Sequence, residues 1–292
     1  MPELPDITLY VERLNERVVG RRLDRVRVMK PFLLRTVDPP LESAEARRVE
    51  CIRRLGKRIA IGLEDELWLV VHLMIAGRLH WDNERPQKYG RNDFATFDFA
   101  RGSLRLTEAG TRKRASLHIA QGSTALAAHD PGGTEPLECT FDAFCAALER
   151  ENHTLKRALT SPRLISGIGN AYSDEILHAA RLSPVLQTKR LSTSQKQALF
   201  DATRSVLASW CDRLRTESRQ EFPRKVTAFR PGMAVHGRYG KPCPACGAAV
   251  QRIRYRDHET NYCAVCQNGG RILADRSLSR LLKDDWPRNI ED

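Results

Sequence analysis

Apolar residues after Asp6 recur at the helical interval: Ile7, Tyr10, Val11, Leu14 and Val18 fall on one face. Asp6 reads as the N-cap and Gly20 as the stop, so the spacing predicts a helix over 7–18. From Leu23 to Ile119 the period becomes two. Val26 and Val28, then Ile59, Ile61 and Leu63, then Leu67, Leu69 and Val71, alternate as half-buried strands do. Residues 64–66 read as a turn between two of these runs, and Arg101-Gly102 as a turn between 94–99 and 104–106. The polar stretch 82–93 reads as a loop. Short alternating strands behind a helix predict a β-sandwich or flattened barrel.

Asp130-Pro131-Gly132-Gly133 is turn-forming and separates this half from one patterned as helices. Thr140 is placed to cap a helix carrying Phe144 and Leu148, and Thr154 opens a short one. Ser192 to Gln195 matches a capping box before Leu199, Val206, Trp210 and Leu214. Between them, Ser166-Gly167-Ile168-Gly169-Asn170 leads into a helical run from Ala171, with Asn170 as N-cap. Such a turn either joins two helices and binds nothing or points unpaired N–H groups at a phosphate. A short helix is expected over 273–283 with Asp275 as its cap, and Trp286-Pro287 lies in a polar tail.

The 292 residues exceed the usual single core, and 41% of them are hydrophobic, enough to bury more than one. Lys and Arg number 48 against 36 Asp and Glu, a net +12 with pI near 9.6, which points to a polyanion, nucleic acid before membrane. No apolar run could span a bilayer, and the terminus lacks the pattern of a signal peptide, so a cytoplasmic, nucleoid-associated, bacterial-type location is expected. Of eight cysteines, Cys51, Cys139, Cys145 and Cys211 are scattered and read as reduced, buried small residues. The other four form Cys243-x-x-Cys246, sixteen residues, then Cys263-x-x-Cys266. Two close thiolate pairs complete a tetrahedral zinc with no open position, so one structural ion is expected and no organic cofactor. Between the pairs Arg252, Arg254 and Arg256 alternate with Ile253 and Tyr255, which on a strand aligns three guanidiniums on one face for phosphates.

The terminal Met1-Pro2-Glu3-Leu4-Pro5-Asp6 permits unusual chemistry. Removal of Met1 would free the secondary amine of Pro2, which can attack an electrophilic carbon and form an iminium. Glu3 and Asp6 are near enough in sequence to move protons for it. The plainer alternative is a proline-stiffened terminus with Asp6 capping the first helix.

Together, Pro2-Glu3-Leu4-Pro5, Gly167-Ile168-Gly169-Asn170 and the four-cysteine finger resemble the Fpg/Nei family of DNA glycosylases, in the family's order and across nearly the whole chain. The resemblance implies an α+β multidomain protein: an N-terminal β-sandwich (1–132), a helix-two-turn-helix domain (133–232) and a C-terminal zinc-finger β-hairpin with its tail (233–292). It implies duplex DNA with damaged bases or abasic sites as partner, bound in a cleft by a monomer. Pro2 would be the nucleophile, Glu3 the acid, and Lys57 a catalytic-domain contact to DNA near the lesion. Asn170, Arg252, Arg254, Arg256 and His258 would bind DNA, and Cys243, Cys246, Cys263 and Cys266 would hold the metal. One amine would then serve as glycosylase and abasic-site lyase through β,δ-elimination. A non-catalytic damaged-DNA or single-strand binder on the same fold is the competing expectation.

Several positions depart from that family. Asp6 stands in place of a glutamate and His258 in place of the finger's arginine. Ile75 occupies the void-filling methionine position, with Met74 one residue out of register. Residues 111–115 lack an Arg-x-Phe-Gly element, and Ser161-Pro162 replaces an Asp-Gln pair. The losses fall on parts that probe the duplex and spare the chemistry, so altered or relaxed lesion preference is expected.

Overall fold

The computed structural model describes all residues except 220, 224–225, 256–257, 276–280, 282–287 and 291–292. The expected 273–283 helix, Trp286-Pro287 and Arg256 therefore lie wholly or mainly outside the described residues. Two compact units emerge, one of 1–131 with 210–227, the other of 132–209 with 228–292.

In the first unit α1 (Leu4–Val18) precedes β1 (Leu23–Val28), β2 (Val49–Leu55), β3 (Arg58–Leu63), β4 (Leu67–His72), β5 (Gly77–Asp82), β6 (Asp93–Phe99), β7 (Gly102–Glu108), β8 (Ser116–Gln121) and the short α2 (Gly122–Ala127). The strands form two four-stranded sheets, ordered β1-β6-β7-β5 and β2-β3-β4-β8, with antiparallel neighbours. Ile59, Ile61, Leu67, Leu69, Leu117 and Ile119 from one sheet meet Val26, Leu79, Phe94, Phe97, Leu104 and Leu106 from the other in one core. This is a β-sandwich, with the alternation that periodicity predicts. The turn between β6 and β7 is Ala100-Arg101 rather than Arg101-Gly102, because Gly102 (φ +101°) already pairs with Phe99.

Nearly every residue of β3 and β4 is buried, although alternation predicts one wet face. The second face is covered by α2: Ala60, Trp68, Val70, Ala120 and Leu126 make a satellite cluster. Trp68 lies over Gly62, where a Cβ would stand 2.8 Å from the indole. Edge strand β5 is capped by α1, whose Tyr10 hydroxyl accepts from Leu79 N (3.3 Å) and donates to Leu79 O (3.4 Å). An otherwise unpaired sheet edge is thereby satisfied by one side chain.

The second unit holds α3 (Phe141–Glu149), α4 (Leu155–Thr160), α5 (Asn170–Ala179), the start of α6 (Thr193–Ser218), β9 (Gln251–Arg254), β10 (Glu259–Tyr262) and α7 (Ala264–Asn268). Thr140 accepts from Ala143 N, and Ser192 and Gln195 exchange the reciprocal bonds of a capping box (3.0 and 3.2 Å). The turn before α5 differs from expectation. Gly169 is the N-cap and Asn170 the first helical residue. Of the scattered cysteines only Cys211 is buried, the other three being half-buried. No helix among the described residues is long and apolar enough to cross a membrane.

Replacing Tyr10 by Phe leaves the packing but strips the buried Leu79 N–H of its acceptor. Urea denaturation should show a loss of about 1–3 kcal/mol.

Candidate active site and metal centre

The start of α1 is fixed by its own first turn. Glu3, not Asp6, is the N-cap, and Asp6 is the third helical residue. Glu3 N donates to Asp6 Oδ2 at 3.0 Å while the Glu3 carboxylate accepts from the Asp6 amide. This corrects the expectation that Asp6 caps the helix. The reciprocal box satisfies two orphan donors and sets a carboxylate at the positive end of the helix dipole. Both side chains are only 2% exposed, and Pro2 is buried beside them.

Burial lowers the α-amino group of Met1 below its ordinary 8.0. Glu3 and Asp6 oppose the shift, while Arg78 and Lys57 add to it. Four charged side chains from three separate stretches therefore reach the terminal amine electrostatically. Lys57 gets there from the two-residue Gly56-Lys57 turn between β2 and β3, where Gly56 supplies φ +59°. Lys57 is thus a hairpin-tip residue.

At the end of β4, burial pulls His72 down to about 4, and Arg58, Lys57 and His118 add to the effect. His72 is followed by a tight turn in which Gly77 N donates to Leu73 O (2.9 Å) and Met74 takes φ +53°. That turn pushes Ile75 outward to 56% exposure, an isolated apolar tip. Where the Arg-x-Phe-Gly element is missing, the buried Glu108 carboxylate accepts from Arg114 N (3.0 Å to each oxygen) and Ala115 N (3.2 Å).

In the second unit the four finger cysteines come together, all Sγ atoms within 4.8 Å of one another, and none is in a disulfide. Sγ separations of 3.9 Å (Cys243–Cys266) and 3.4 Å (Cys246–Cys263) bracket the ~3.8 Å expected across a tetrahedron of ~2.3 Å Zn–S bonds. The residues fit the metal. His178 Nε2 lies 3.2 Å from Cys243 Sγ, placing an imidazole from α5 behind one thiolate.

Helix α5 fastens the finger along its length. Asn170 Nδ2 donates to Glu259 O (2.9 Å), and Asp174 Oδ2 meets His236 Nδ1 (2.8 Å) and Asp174 Oδ1 meets Lys156 Nζ (2.6 Å). Glu175 accepts from the backbone of Ala234, Val235 and His236, and Leu182 O, just past the helix, accepts from Gln267. Burial raises Glu175 above the ordinary carboxylate value, and those backbone donors pull it back. On the hairpin Arg252 lies over the Tyr239 ring (4.1 Å) with Glu259 at 3.6 Å and is half-buried, while Arg254, two residues on and across from buried Ile253, is exposed. His258 is exposed and stacks on Tyr255 at 4.7 Å.

Residues 1–117 match the formamidopyrimidine-DNA glycosylase N-terminal domain and 133–219 the H2TH domain of the same proteins. A Variovorax paradoxus formamidopyrimidine-DNA glycosylase is 32% identical over 275 residues, covering 91% of this chain and all of its own. The chain belongs to the formamidopyrimidine-DNA glycosylase family. An uncharacterised glycosylase-like protein of Mycobacterium tuberculosis is 40% identical over 151 residues, 52% of this chain and 94% of that one. A Lactococcus lactis FPG mutant solved with Fapy-dG-containing DNA has a TM-score of 0.79 at 25% identity, covering 91% of this chain and all of that one. Within this family frame, Pro2, Glu3 and Lys57 gather at the terminus of the first unit. Asn170, Arg252, Arg254, His258 and the four cysteines gather in the second. Sequence reasoning missed Arg78, His178 and His236, which carry no motif of their own.

Cys246→Ser should lose metal, seen as substoichiometric zinc by elemental analysis and a lost finger transition on melting. In the pH range between 6.5 and about 4, unfolded His72 binds a proton that the folded chain excludes, so stability should fall as pH drops through that window. His80, His118 and His129, lowered by burial too, act in the same direction. Thermal melts should show the fall, and His72→Asn should flatten it.

Proposed function

We propose that this chain excises oxidised bases from duplex DNA and cuts the resulting abasic site, as a bifunctional glycosylase and lyase of base-excision repair. The observation that carries the reading is the buried terminus, where Pro2 and the Glu3 carboxylate lie at the head of α1 and the charge of Lys57 acts on the amino end of the chain. The damaged nucleotide leaves the stack at a cost of a few kcal/mol. With Met1 removed, Pro2 N bonds to the sugar C1′ as the glycosidic bond breaks, and Glu3 supplies the proton. The amine then loses its proton and the sugar ring opens, the C1′–O4′ bond breaking as O4′ takes up a proton, which leaves an iminium at C1′ that acidifies C2′. Removal of the C2′ proton expels the 3′ phosphate, a further elimination expels the 5′ phosphate, and water releases the sugar remnant from Pro2. An α-amino group titrates at about 7.7 to 8.0 in model peptides, so a neutral, nucleophilic fraction of the Pro2 amine exists near pH 7.

Zinc would be held by Cys243, Cys246, Cys263 and Cys266 and supplies a structural cross-link. The basic surface and the exposed Arg254 support phosphate binding, with Asn170 at the start of α5. The acting form is a monomer on chromosomal DNA in the bacterial cytoplasm.

Borohydride should trap a covalent adduct on abasic DNA, and Pro2→Gly should reduce it by about 100-fold or more. The trapping rate should rise with pH as the Pro2 amine loses its proton and then level off. Tight binding with no adduct would instead mark a damaged-DNA binder.

A further inference from the structure

Arg78 begins the outward run of β5, one residue before the Leu79 that Tyr10 pins. Its guanidinium makes three hydrogen bonds, all to backbone carbonyls. Nε donates to Val226 O (2.6 Å), and Nη1 donates to Gly77 O (2.6 Å) and Ile75 O (3.1 Å). Nη2 has no partner, and no carboxylate forms an ion pair with it, among the described residues. Two other partly buried arginines of this unit are neutralised, Arg27 by Asp98 and Arg105 by Asp82 and Asp93. Arg78 is therefore a cation held in place by dipoles alone.

Its surroundings give that charge a use. The carbonyls it holds belong to the turn with the exposed Ile75 and to the segment after α6, which Phe222 and Val226 anchor into the core. Its charge also acts on the amino group of Met1, the residue next to Pro2, so a sugar that meets Pro2 comes near the same cation. A guanidinium only donates, and with two nitrogens tied its plane is set before any ligand arrives. An oxygen acceptor is what the free nitrogen can take.

We propose that Arg78 is a substrate-contacting residue, donating Nη2 to an oxygen of the nucleotide under attack, either a carbonyl of an oxidised base or a phosphate. This rests on the glycosylase reading above. A base with no oxygen at that point leaves Nη2 unpaired and is disfavoured.

The test uses the full-length, processed, zinc-loaded protein with Arg78→Ala, Arg78→Lys and Arg78→Gln. Single-turnover excision is measured on duplex with a carbonyl-bearing oxidised base, and strand cutting on duplex with a preformed abasic site. Arg78→Ala should slow excision by about 10- to 100-fold. A loss larger on the damaged base than on the abasic site locates the oxygen on the base. Equal losses, with a salt slope of binding reduced by about 1, locate it on phosphate. Wild-type rates for all three variants on both substrates would overturn the proposal while leaving the glycosylase reading intact. Full recovery by Arg78→Gln, which keeps a donor for Val226 O but not the charge, would show a structural staple and overturn it too. Wild-type protein that gives no adduct on abasic DNA would sink the glycosylase reading and this inference with it.

Discussion

The reciprocal bond between Glu3 and Asp6 is the constraint on which the chemistry proposed for the first unit depends. A chain terminus ordinarily frays, because its first amides have no partners and its last few residues no packing. Here the first turn closes on itself, and Leu4, Ile7, Tyr10 and Leu14 fix the rest of α1 in the core. Tyr10 then spends its hydroxyl on the open edge of β5. The helix therefore seals a sheet edge and holds the residue before it, Pro2, at a fixed buried place. In the proposed reaction an amine held this way would forgo the entropy loss that a mobile terminus suffers on meeting its substrate.

The second unit is organised by α5 in a comparable way. Residues 170, 174, 175 and 178 lie at three- and four-residue spacing, and each contacts the segment from 234 to 259. The finger is too small to bury a core of its own, and its cluster of Val235, Cys243, Val250 and Cys263 is slight. A metal held by the four cysteines would, with the helix, supply what packing cannot. Asn170, at the head of that helix, is tied to Glu259 O on the hairpin, so the two elements proposed to meet phosphate are held by one hydrogen bond.

Much of this was legible in the residues. Period two found the sandwich, because core-facing Ile59, Ile61, Leu67 and Leu69 cannot sit anywhere else. Cysteine spacing found the four-cysteine cluster, since thiolate pairs at this spacing share one common geometry. The first cap was misplaced by one turn, because a glutamate can cap when an acidic residue three positions on answers it, and sequence alone favoured the commoner aspartate. The buried outer faces of β3 and β4 were invisible, as α2 covers them from 50 residues away in sequence. The stacking of Arg252 on the Tyr239 ring was not legible, because Tyr239 lies outside the hairpin in sequence. Arg78 and His178 act through partners distant in sequence, which no local pattern encodes.

The account turns on the nitrogen of Pro2. Peptide mapping by mass spectrometry of the borohydride-reduced complex with abasic DNA tests it most directly. The account predicts the sugar remnant on a peptide that begins at Pro2, with Met1 gone. A remnant on Lys57, or a terminus that keeps Met1 in every molecule, would contradict it.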